Sequence, residues 1–171
     1  MKKFKITVII LLFILMQSCL DLGIYISDFS LGTPESSSPV PGIAGKWEKI
    51  LKNENESGID SLEFILFNEN EYIMRSGDNN EKSLARAFST EIAGFQFLNI
   101  QDLSETKKQF VFCKYSISKD NILTMHFIGD TIFKTDPPIN SKKLRKFIKK
   151  HINDPDLFND DMKFSLRKIG D

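Results

Sequence analysis

From residue 45 onward, apolar and polar side chains alternate in short runs that polar turns interrupt. Runs at 46–51, 61–67, 71–75, 84–92, 95–101, 109–118 and 122–128 have the period of two expected of strands. The links between them are short, among them Ala93-Gly94 and Lys119-Asp120-Asn121. Parallel neighbours need long crossovers, so this succession predicts an antiparallel meander.

The alternation also assigns faces. Val111, Cys113, Tyr115 and Ile117 share one side of their strand, and Leu123, Met125 and Phe127 share one side of the next, so these two sides should meet in the core and leave Lys114 and Ser116 outside. The run 95–101 is apolar on both sides, with Phe95 and Phe97 opposite Gln96, Leu98 and Ile100. A strand of that kind needs something packed over its outer face.

The pattern supplies a cover. After Asp136-Pro137-Pro138, Asn140 or Ser141 is placed to cap a helix running to about Ile152. Leu144, Phe147, Ile148 and Ile152 form one apolar stripe, and the opposite face carries Lys142, Lys143, Arg145, Lys146, Lys149 and Lys150. This basic face is a candidate membrane- or partner-facing surface, against the simpler alternative of a solvated face. Asn153-Asp154-Pro155 ends the helix, and a final run, 162–169, turns Met162, Phe164 and Leu166 inward to pair beside an earlier strand and help close the sheet.

The first strand opens with Gly45-Lys46-Trp47, which resembles the Gly-x-Trp signature of lipocalin-like barrels. Residues 45–169 are similar as a whole to small bacterial lipoproteins of unassigned function. The resemblance implies a mainly β fold, about eight antiparallel strands in a lipocalin-like barrel or strongly curved sheet, with the amphipathic helix before the last strand. It carries no ligand over. Fifteen phenylalanines suit either a filled core or a lined cavity, since small barrels occur in both forms.

The N-terminus follows another pattern. Lys2, Lys3 and Lys5 precede an uncharged run, Ile6 to Met16, that is too short to span a bilayer as a helix and fits the apolar region of a secretory signal. Met16-Gln17-Ser18-Cys19 resembles the lipobox of bacterial lipoproteins, which implies cleavage before Cys19 and acylation of Cys19. Residues 1–18 are then a signal peptide, and 19–44 a lipidated cysteine followed by a tether whose Pro, Ser and Gly content predicts a reach of roughly 25 to 30 Å. GIYISDF within it is apolar enough to dock instead. Residues 45–171 form the single β-rich domain.

Charge and chemistry narrow the function. The first 18 residues hold three of the 23 basic residues and none of the 23 acidic ones, leaving 20 against 23, a net −3 that argues against nucleic acid as partner. With Cys19 acylated, Cys113 has no partner for an internal disulfide. A Cys113–His126 nucleophilic pair on neighbouring strands conflicts with the core side assigned to Cys113. Asp154, Asp156, Asp160 and Asp161 lack the glycine and glutamate of a calcium loop and read as a turn. No phosphate loop, metal motif or catalytic constellation stands out, so no cofactor, metal or enzymatic step is expected.

The expected function is therefore a membrane-anchored lipoprotein with a non-enzymatic domain that binds an apolar small molecule or a cell-envelope protein. The alternative is a structural or assembly lipoprotein with a filled core that acts through its surface. Leu20 follows the lipid-bearing cysteine where an aspartate would resemble an inner-membrane signal, so in a two-membrane cell the outer membrane is expected.

Overall fold

The computed structural model describes residues 23–50, 61–77, 83–104, 106–134 and 137–170. Residues 1–18, which read as a signal segment, Cys19 and Leu51 lie outside the described residues. Among the described residues nine strands appear in chain order: β1 (Ile26–Ser27), β2 (Gly45–Lys49), β3 (Ser61–Leu66), β4 (Tyr72–Ser76), β5 (Ser83–Ile92), β6 (Phe95–Asp102), β7 (Phe110–Ile117), β8 (Ile122–Ile128) and β9 (Phe158–Gly170). Among these residues one α-helix, α1 (Ser141–Lys150), lies between β8 and β9.

Strands β2 to β9 form an up-and-down antiparallel barrel of eight strands, lipocalin-like in architecture, which β9 closes by pairing with both β8 and β2. The inward sides are those that the alternation assigns. Cys113 faces Leu98 and Phe127 across its neighbours, Tyr115 faces Met125, and Leu123 faces Leu166. With Trp47, Phe64, Tyr72 and Met74 these side chains make one contiguous buried cluster, so aromatic and aliphatic groups occupy the barrel interior. Trp47 is fully buried, and its Nε1–H donates to the Ile43 carbonyl at 2.8 Å.

Helix α1 covers the outer face of β5 to β7. Phe88, Phe97 and Phe112 point out of the barrel into a second cluster with Leu144 and Ile148, which supplies the cover that a doubly apolar β6 requires. Burying the two helix side chains contributes about 1.5 to 3 kcal/mol each. Asn140 caps the helix by accepting from the Lys143 amide at 2.9 Å.

The tether differs most from expectation. Leu31 and Ile43 are buried, β1 pairs with the start of β7, and residues 28–43 run up the outer wall and fold over one end of the barrel. From Gly23 to Ala44 this segment is a strap on the domain, in place of a spacer away from it. The physical reason is local: Tyr25, Leu31 and Ile43 bury apolar area in the two clusters, and backbone groups of Leu31 and Val40 find partners on the barrel.

Candidate functional site

The strap crosses the end of the barrel where β2 begins and the β3–β4 and β5–β6 hairpins turn, here termed the mouth. Three contacts fix it. Ser37 Oγ accepts from the Ser89 amide at 3.0 Å, the Tyr72 hydroxyl accepts from the Val40 amide at 2.9 Å, and Ile43 inserts, fully buried, into the barrel cluster.

Further back, Asn99 holds the strap to the wall. Its Oδ1 accepts from the Leu31 amide at 2.7 Å, while its Nδ2 donates to Phe88 O at 3.2 Å and Thr90 Oγ1 at 3.0 Å. Gly32 passes so close that a Cβ there would stand 2.6 Å from Thr90 Oγ1, so the crossing admits no side chain at this point.

Between the strap and the β5–β6 hairpin lies an open recess of about 560 Å³, lined on one side by Ser38 and Val40 and on the other by Thr90, Phe95, Gln96 and Tyr115. Its floor is a hydrogen-bond chain. Ser89 Oγ donates to Gln96 Oε1 at 3.0 Å and therefore accepts from the Tyr115 hydroxyl at 2.9 Å, and Gln96 Nε2 donates to Glu91 Oε2 at 3.1 Å. Burial pushes the Tyr115 phenol up to about 12 against the opposing bond from Ser89, so it stays protonated as a donor. The hairpin turns through Ala93 and Gly94, both at positive φ, which keeps it tight and leaves Phe95 beside the recess.

The mouth also exposes apolar side chains. Leu66 ends β3 and Phe67 follows it, and Phe95 and Ile169 stand at the same end of the barrel. Nearby, burial works to raise the Glu71 carboxyl, but bonds from Arg86 and from Asn68 Nδ2 at 2.7 Å outweigh it and hold the group below its ordinary range. Glu71 thus stays ionised as an anchor for the β3–β4 turn. The arrangement offers hydroxyl and amide groups next to an aromatic surface, which suits reversible binding of a polar ligand or a partner's loop.

The residues singled out from sequence sit elsewhere. Cys113 faces the buried interior, where burial pushes its thiol up, with a Leu98 backbone bond acting the other way. His126 lies on the outer side of β8, so the two occupy opposite faces of the sheet and form no nucleophilic pair. His126 instead packs on Phe158 and has Asp160 Oδ1 3.2 Å from Nε2, without hydrogen-bond alignment. Burial lowers its pKa, Asp160 works to raise it, and Lys114 and Lys163 on the flanking strands lower it further.

Asp154 serves the turn after α1, accepting from the Asp156 amide at 3.1 Å and approaching His151 Nδ1 at 3.3 Å. Among the described residues no group of three or more His, Cys, Asp or Glu is arranged to hold a metal.

On α1, Lys142, Lys143, Lys146, Lys149 and Lys150 are exposed. Arg145 is exposed too, but its guanidinium is engaged: Nη1 donates to Leu31 O at 3.2 Å and Nη2 to Glu91 O at 2.7 Å, so it ties strap, hairpin and helix together. The basic face is therefore five lysines, and the arginine is a fastener. A clue was available, because an arginine beside the apolar stripe can reach two carbonyls that a lysine would meet as a point charge. Comparison with family models, curated proteins and solved structures finds no match for this chain.

Proposed function

We propose that this chain is an exported lipoprotein, held to a membrane through lipid on Cys19, whose β-barrel binds an envelope component at the strapped mouth and catalyses no reaction. The observation that carries the reading is the combination of an interior occupied by its own side chains with a polar and aromatic recess at its mouth. An apolar ligand on the barrel axis would have to displace Trp47, Phe64 and Met125, so binding through the surface is favoured over carriage inside. The exposed Leu66, Phe67 and Phe95 supply the apolar area of such a surface, and Ser38, Glu91 and Gln96 its hydrogen-bonding groups.

Two experiments test it. Cys19→Ala should abolish partitioning of the chain into detergent, and wild-type partitioning by the variant would refute the lipid anchor. Native mass spectrometry of the chain purified from membranes should then show a bound component that Ser38→Trp, which fills the recess, displaces. A bound mass that Ser38→Trp leaves untouched would place binding elsewhere and refute the mouth as the site.

A further inference from the structure

The strap changes where the membrane must lie. The described chain begins at Gly23, whose carbonyl accepts from the Asp130 amide at 2.9 Å and from Asn159 Nδ2 at 3.4 Å, at the end of the barrel away from the mouth. Cys19 is four residues earlier, so lipid on it would sit within about 14 Å of Gly23 even along a fully extended chain. Anchorage is thus close, without the two dozen residues of slack that the composition suggested.

The same flank carries α1. Asp130 opens a single 3-10 turn, Thr131–Phe133, and the Phe133 ring lies between Tyr25 at 3.7 Å and Phe147 of the helix at 4.7 Å. From the other side, the turn after the helix reaches back through Leu157 O, which accepts from the Gly129 amide at 3.0 Å. Two routes of direct contact therefore join the chain exit to the helix.

Between α1 and the segment before it is a groove of about 320 Å³, lined by Pro138, Ile139, Lys143, Lys146, Phe147 and Lys150. Ile139 is 65% exposed, the most of the described large apolar side chains, and shares the groove with three lysines. The helix contains no acidic residue, and among the described residues no carboxylate lies within ion-pair distance of its five lysines.

We infer that this face, Lys142, Lys143, Lys146 and Lys150 around Ile139, docks on the anionic headgroups of the membrane that holds the chain. Lysines spread over the surface take the phosphates while Ile139 enters the headgroup boundary, the division of labour of an interfacial amphipathic element. Each lysine near an anionic surface strengthens binding about fivefold, which turns a loose tether into a fixed orientation. The inference uses the lipid anchor of the proposed function for its proximity, while its charge complementarity stands without the anchor.

The full chain, purified from membranes, is placed in phosphatidylcholine vesicles with and without phosphatidylglycerol, and its lysines are acylated by a water-soluble reagent. Lys142, Lys143, Lys146 and Lys150 should react about fivefold or more slowly on the anionic vesicles. The protection should vanish in 1 M salt, where screening falls to about 3 Å. Lys119, exposed in the β7–β8 turn at the mouth, should keep its rate. Equal rates on both vesicles overturn the inference, as does protection centred on Lys119. Flotation separates the two ideas. A chain that fails to float with neutral vesicles refutes the anchor, and its flotation with anionic vesicles then decides the docking: binding lost in a K142Q/K146Q/K150Q variant supports it, and no binding overturns it.

Discussion

Asn99→Leu should unfasten the strap while leaving the barrel closed. Asn99 is fully buried on the outer face of β6, and leucine keeps its branched four-atom shape with somewhat bulkier ends, so the substitution removes hydrogen bonds without opening a cavity. Leu31, only 1% exposed, would keep its amide in the same dry layer with no acceptor, at a cost of about 1 to 3 kcal/mol. The donations to Phe88 O and Thr90 Oγ1 are worth about 1 kcal/mol each. Leucine regains part of this through its apolar surface, so a net loss of about 2 to 3 kcal/mol is expected, a large share of the 5 to 15 kcal/mol typical of a domain. Urea unfolding measures the loss, and hydrogen exchange locates it. The Leu31 amide and its neighbours in the strap should exchange faster than the β6 and β7 amides, because the strap opens before the barrel does. A variant with the wild-type urea midpoint and unchanged Leu31 exchange would refute the role given to Asn99.

Ala93 holds φ 54° in a two-residue hairpin turn, where asparagine adopts that conformation more readily. Ala93→Asn should therefore raise stability by about 0.5 to 1 kcal/mol, read as a higher Tm, and a lower Tm would contradict the turn assignment. His126 is held below its ordinary pKa chiefly by burial, so the unfolded chain binds the proton more readily than the folded one. Stability should consequently be intact above about pH 6.5 and decline as pH falls through the folded value, and His126→Phe should flatten that decline in urea midpoints measured from pH 7.5 to 5. A wild-type decline that persists in the variant would assign it to other groups.

Period-two alternation is a local property, and it settled most of the barrel. The inward sides of β7, β8 and β9 could be read directly, because a one-residue slip would send Cys113, Met125 and Phe164 to the outer face and turn their polar neighbours into the core. The double apolarity of β6 likewise implied the helix that covers it. The strap was not legible in the same way. Its Pro, Ser and Gly composition describes a chain that buries little by itself, and only the barrel's outer wall, with Asn99 and the gap that Gly32 fills beside Thr90, makes its few apolar residues sufficient. The recess is illegible for the same reason. Ser38, Thr90, Gln96 and Tyr115 are spread along the chain without a shared motif, and hairpin geometry alone brings them together. Sequence by itself thus determined β2 to β8 and their faces, the helix and its charge, and the course of β9 from Met162 on, while β9 in fact begins at Phe158 and carries Asp160 and Asp161 that read as turn residues. The tertiary structure decided where the N-terminal segment goes, which turned Arg145 into a fastener and joined Tyr25, through Phe133, to the helix. Alternation and amphipathicity are written residue by residue, whereas the path of an irregular segment depends on surfaces that exist only after the rest has folded.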